Sequence, residues 1–181
     1  MKLSGSYQIN LEKQKVWESL NDPDILKKSI PGCEEFKKNS ETEFTATATN
    51  KIGPFNATFI GDIELSDLNP PNSYKITGSG NSPVGFVNGE AIVTLEDFEE
   101  GTKLNYSVEA NVGGKIAQVG SRLIDMTAKK MADIFFSKFS ELISDKSENL
   151  LKKISAIFFA VISINLEPIW AIFPPTFAST S

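Results

Sequence analysis

From Ser121 to Ile143 the chain runs without glycine or proline, and its apolar residues recur at helical spacing: Leu123, Ile124, Ala128, Met131, Ile134, Phe135, Phe139 and Leu142. Asp125, Lys129, Lys130, Asp133, Lys138 and Glu141 lie mostly off that stripe. The pattern predicts a long helix with one buried face. Such a helix is only marginally stable alone in water, so its apolar face needs a partner.

The residues before it supply that partner. Leu3 to Asn10 alternates, with Leu3, Gly5, Tyr7 and Ile9 on one face, and reads as a first strand. Val16, Trp17 and Leu20 then fall at helical spacing. Asp22 is placed to cap a second short helix with Pro23 in its first turn, Ile25, Leu26 and Ile30 on its apolar side, and Pro31-Gly32 at its end. From Cys33 to Val112 strands alternate with turn signals. Phe44, Ala46 and Ala48 share a face, as do Phe55, Ala57, Phe59, Ile63 and Leu65, then Tyr74, Ile76, Gly78 and Gly80, and finally Leu104, Tyr106, Val108, Ala110 and Val112. Gly53-Pro54, Asn69-Pro70-Pro71-Asn72 and Glu99-Glu100-Gly101 are the turns. One strand, two short helices, six strands and a long helix predict an α+β fold. In it, a curved antiparallel sheet wraps around the long C-terminal helix.

Composition narrows the chemistry. The chain has 181 residues, 40% apolar and 23% charged, enough for a real core. Its formal net charge is −5, with Arg122 the one arginine, which argues against a nucleic-acid partner. The chain has no histidine. That excludes a Ser-His-Asp or Cys-His catalytic unit, a His-ligated zinc or iron site and a histidine proton relay. A single cysteine, Cys33, leaves no intrachain disulfide, and Met1 to Ser6 lacks the apolar core of a signal peptide. Both features point to a cytoplasmic domain.

Several short motifs then fall together: Ser29-Ile30-Pro31-Gly32-Cys33-Glu34 after the helix pair, Gly53-Pro54, Phe59 with Gly61, Gly78 with Gly80, Gly85 with Gly89, and Gly101-Thr102. The block from Val112 through Gly113-Gly114-Lys115 to Gly120-Ser121-Arg122-Leu123 follows, and Phe135-Phe136 ends the series. In this combination residues 2 to 143 closely resemble the carbon monoxide dehydrogenase G-subunit family, within the START-like helix-grip superfamily of polyketide cyclases and plant lipid-binding allergens. The resemblance implies a non-catalytic accessory protein of a molybdenum-containing carbon monoxide dehydrogenase or related hydroxylase. It implies membrane attachment of that enzyme and a lipophilic ligand, for which a quinone fits. No covalent cofactor, metal or nucleotide is implied.

In that fold the inward residues Phe59, Phe86, Tyr106, Leu123, Met131 and Phe135 would line a cavity, with Leu26 and Ile30 near its mouth. Tyr106 is the expected polar group, its hydroxyl suited to a quinone carbonyl. Plain core packing is the alternative for each. Gly78, Gly80, Gly85 and Gly89 would bend the sheet, leave room for a ligand, or both. Gly113 to Gly120 fails as a phosphate loop because Ile116 follows Lys115, and it reads as a tight strand-to-helix passage. Glu90, Asp97, Glu99, Glu100 and Glu109 read as solvated carboxylates rather than an acid-base pair. Cys33 reads as a small buried side chain rather than a reactive one.

After Ile143 the composition changes. Residues 144–153 read as a polar linker, 154–173 as a hydrophobic segment broken by Glu167-Pro168, and 174–181 as a tail, behind a START-like domain over 1–143. The segment suits a short membrane anchor with Lys152-Lys153 on the cytoplasmic side. A segment docking into a partner protein and a helix covering the domain's own core are the alternatives. The sum is a carrier or tether at the cytoplasmic face of a membrane. A START-like cyclase or hydrolase, or a ligand-free adaptor, would be the other functions for such a chain.

Overall fold

The computed structural model describes residues 1–165, except the side chains of Leu150 and of residues 159–165. The chain divides into two compact units, Met1–Ser144 and Asp145–Ser181.

The first unit contains β1 (Lys2–Ile9), α1 (Lys13–Leu20), α2 (Pro23–Ser29), β2 (Cys33–Lys38), β3 (Glu43–Ile52), β4 (Phe55–Asn69), β5 (Ser73–Ser82), β6 (Gly85–Phe98) and β7 (Gly101–Gly114). A 3-10 turn over Lys115–Val119 leads into α3, which spans Ser121–Asn165. The seven strands form one antiparallel sheet in the order β1-β7-β6-β5-β4-β3-β2. The only departure from a meander is β1, which joins the free side of β7. This is the α+β architecture expected from the alternation of faces.

Local chemistry sets the element ends. Asp22 caps α2 by accepting from the backbone amides of Asp24 and Ile25 at 2.9 and 3.2 Å, and Pro23 opens the helix. The passage from β7 to α3 needs two residues at positive φ, and Gly114 (80°) and Gly120 (93°) provide them on either side of the 3-10 turn. This matches the strand-to-helix role read for the Gly113–Gly120 block.

The core lies under the later turns of the first unit's part of α3. Phe136, Phe139 and Ile143 pack there with Val16, Trp17 and Leu20 of α1 and with Val93, Leu95 and Leu104 of the sheet. Phe139 is 0% exposed. Full burial of one such side chain contributes about 1.5–3 kcal/mol.

The helix does not end at Ile143. Residues 144–153, expected to be a polar linker, are helical, and α3 continues to Asn165. Ser144-Asp145-Lys146-Ser147-Glu148-Asn149 is polar but contains no helix breaker, and Glu148 and Lys152 form an i,i+4 pair at 3.6 Å. Polarity alone does not stop a helix. Among the described residues no helix is long and apolar enough to cross a membrane. Residues 166–173 of the expected hydrophobic segment, and the tail at 174–181, lie outside the described residues.

Candidate functional site

Solid packing under the later turns of α3 gives way to open space under its first turns. A cavity of about 550 Å³ lies between α3 and the concave face of the sheet. The helix contributes Ile124, Thr127, Ala128, Met131, Ala132, Phe135 and Phe136, an i, i+3, i+4 series that keeps one face over the space. The sheet contributes inward positions of all seven strands, among them Leu3, Phe36, Phe44, Ile63, Leu65, Tyr74, Ile76, Ala91, Tyr106 and Val108. Leu26, Ile30 and Pro31 from α2 and the loop after it close one side.

Five of the eight residues expected at the site come together here: Leu26, Ile30, Tyr106, Met131 and Phe135. The other three do not. Phe86 is on the opposite face of the sheet, 41% exposed. Strand parity is the reason. Val87, Ala91 and Val93 of β6 point inward, so Phe86 points out. Its ring covers Gly113 on the neighbouring strand, where a Cβ would come within 2.3 Å of the ring. Leu123 is 37% exposed and one helix position short of the lining series. It packs instead over the turn between β3 and β4, near Gly53.

Phe59 faces inward but borders a neighbouring concavity of about 390 Å³. That concavity shares Ile63, Ile76, Val87, Ala91 and Val108 with the main cavity, and its floor is Gly61, Gly78, Gly80 and Gly89. The glycines therefore do two things. A Cβ on Gly61 would come within 2.0 Å of the Ser79 carbonyl oxygen and one on Gly89 within 2.7 Å of the Glu109 oxygen, so the backbones need them. Above Gly78 the nearest atom would be 3.9 Å away, so that glycine leaves open room.

Four polar side chains line the main cavity: Asn50, Tyr74, Tyr106 and Thr127. The Asn50 amide donates to the Pro31 carbonyl at 3.0 Å, and the Thr127 hydroxyl donates to the Leu123 carbonyl at 2.8 Å. Tyr106 leans over Gly5 beside Tyr7, whose ring lies nearly parallel to it with centroids 6.2 Å apart. The Tyr7 hydroxyl donates to the Asp133 carboxylate of α3. Burial first, then the Asp133 charge, raises the Tyr106 hydroxyl above its ordinary value. Tyr74 is not among the residues expected at the site. It faces the same side as Tyr106 in one cross-sheet row, through Val93 between them.

The carboxylates are elsewhere. Glu90 pairs with Lys75 at 2.9 Å, Glu109 with Lys2 at 2.7 Å and Asp97 with Lys13 at 3.0 Å, and none of these acids lines the main cavity. Among the described residues no group of His, Cys, Asp and Glu side chains could hold a metal ion. The Cys33 thiol donates to the Glu35 carbonyl at 3.3 Å, and burial pushes it above its ordinary value, away from the reactive thiolate.

Known proteins share this fold. A family model for the G-subunit of carbon monoxide dehydrogenase (CoxG) matches residues 5–144. A conserved protein from Geobacillus kaustophilus has a similar crystal structure, with TM-score 0.76 and 32% identity over 80% of this chain and 96% of that one. Protein Ms6760 from Mycobacterium smegmatis superposes with TM-score 0.62 at 15% identity, over 80% of this chain and 92% of that one. Ara h 8.0201 does so with TM-score 0.58 at 15% identity, over 80% and 98%. The last two share the helix-grip fold. No curated protein matches the chain.

Proposed function

The chain belongs to the carbon monoxide dehydrogenase G-subunit (CoxG) family, and from that premise we propose how its accessory role in a carbon monoxide dehydrogenase system is carried out. It binds a lipophilic molecule, a quinone, between sheet and helix. It also holds a molybdenum-containing dehydrogenase or related hydroxylase at the cytoplasmic face of a membrane. In this role it carries and docks, and turns nothing over. The observation that supports the first half is the cavity itself. Its volume of about 550 Å³ falls within the ~300–1,000 Å³ range of small-molecule sites. Its walls are mostly apolar, with four polar side chains among them.

Support for the second half comes from the unit that begins at Asp145. Leu151, Ile154, Ile157 and Phe158 are exposed large apolar side chains at helical spacing. Lys152 and Lys153 stand beside them, suited to anionic headgroups.

Mass spectrometry of an organic extract of the full-length protein, purified from its native cells, tests the carrier. A stoichiometric quinone is the expected result, and repeated absence of any lipophile would leave an adaptor with an empty cavity. Membrane fractionation of the full chain and of a chain truncated after Ser144 tests the tether. The full chain should pellet with membranes and the truncated one should not; equal partitioning would sink the tether.

A further inference from the structure

The cavity's polar side chains are not equally available. Thr127 has its one donor committed to a backbone carbonyl and Asn50 one of its two, and Tyr106 stands beside the Tyr7–Asp133 pair. Tyr74 differs. It is 5% exposed, its ring meets Trp17 edge-on at 5.3 Å, and its hydroxyl has no hydrogen-bond partner among the described residues. No sealed-off side-chain oxygen or nitrogen among those residues lacks a partner, so the Tyr74 oxygen is not sealed off. Tyr74 is one of the residues that line the cavity. A buried phenol leaves a hydrogen bond unmade only at a cost, so a ligand that completes it is favoured over one that does not. Burial alone pushes this hydroxyl far above its ordinary value, so it stays protonated and remains a donor.

The geometry points to Tyr74 as the residue that orients the ligand, its hydroxyl donating a hydrogen bond to a carbonyl oxygen of the bound lipophile. This rests on the reading of the cavity as a lipophile site and assigns that site's specificity. The expected assignment to Tyr106 is replaced, because Tyr106 leans to the β1 edge beside Tyr7. Tyr74 lies between α1 and the open space, with the Trp17 ring fixing its direction. Carbonyl-bearing rings are therefore retained over hydrocarbons of equal size.

The test uses the full-length protein, stripped of lipophiles, with two probes of similar shape: 1,4-naphthoquinone and 1,4-dimethylnaphthalene. Wild-type protein should bind the quinone more tightly and lower its infrared carbonyl stretching frequency. In Tyr74→Phe the quinone should bind roughly three- to tenfold more weakly, the loss of one hydrogen bond, and the frequency shift should vanish. Dimethylnaphthalene affinity should not weaken and the melting temperature should not fall, since only an unpartnered hydroxyl is removed. If the variant keeps both the affinity and the frequency shift of wild type, Tyr74 is not the orienting residue. If Tyr106→Phe abolishes the shift and Tyr74→Phe does not, the role returns to Tyr106. If wild-type protein binds neither probe, the cavity is not a lipophile site and the underlying reading fails with this one.

Discussion

The Tyr7 hydroxyl on edge strand β1 donates its hydrogen to the Asp133 carboxylate on α3, which ties the rim of the sheet to the helix beside the cavity. The Tyr7 ring also stacks on Phe136 with centroids 4.1 Å apart, so ring and hydroxyl act separately. Tyr7→Phe keeps the stack and removes the bond. It should cost about 1 kcal/mol in urea unfolding, less than is usual for a hydrogen bond to a charged group because the pair is solvent-accessible. Asp133→Asn should cost less, and the double variant little more than Tyr7→Phe alone. Additive losses would mean the two side chains do not interact in solution.

High pH gives a second prediction. The chain's three tyrosines, Tyr7, Tyr74 and Tyr106, all have hydroxyls raised above the ordinary 10.0, each chiefly by burial. Below pH 10.0 folded and unfolded chains both keep these protons, and pH has no effect through them. Above it the unfolded chain sheds protons that the folded chain retains, so stability must fall as pH rises. Tyrosinate absorbance near 295 nm should therefore appear late and together with the loss of far-ultraviolet dichroism. A gradual titration of all three tyrosines around pH 10 in a protein that stays folded would contradict the burial of Tyr74 and the raised hydroxyls of Tyr7 and Tyr106.

Much of this molecule can be read from faces alone. Alternation puts Leu3, Ile63, Leu65, Ile76, Tyr106 and Val108 on the inward side, and all six line the cavity. Phe86 departs from expectation because its size suggests a lining residue while its parity forbids one. An odd step from Val87, it can only face outward, where its ring shields Gly113. Leu123 shows a different limit. A wide apolar stripe on a helix does not say which of its edges meets the sheet, and the lining begins one residue later at Ile124. Alternation places Tyr74 on the correct face, but its free hydroxyl depends on what α1 and the neighbouring strands leave uncovered. No spacing rule carries that information. The helix runs past its expected end because 144–149 is polar yet has no breaker.

A contrast between two helix positions tests whether α3 covers a filled core at one end and open space at the other. Phe139→Ala, in the filled part, should cost about 3–5 kcal/mol. Met131→Ala should cost about 1 kcal/mol or less. Met131 is half-buried against the cavity and gives up few close contacts when shortened. Both follow from urea unfolding at one temperature. Equal losses would show that the space under Met131 collapses in solution. In that case the site proposed for a ligand would not exist in the free protein.

Gly61 and Gly78 sit on adjacent strands of the same concave floor, yet the same substitution should move their stabilities in opposite directions. A glycine inside a strand costs roughly 0.5–1 kcal/mol relative to alanine, through the freedom the unfolded chain loses on folding. Gly78→Ala should recover that amount, because its new methyl would lie 3.9 Å from the nearest atom. Gly61→Ala would set a methyl 2.0 Å from the Ser79 carbonyl oxygen, on a backbone that cannot retreat without breaking the β4–β5 ladder. Overpacking of this kind costs about 1–3 kcal/mol, more than the entropy gained. The melting temperature should therefore rise for Gly78→Ala and fall for Gly61→Ala. If both fall, the room above Gly78 is closed in solution, and its glycine serves the curvature of the sheet rather than the volume of the cavity.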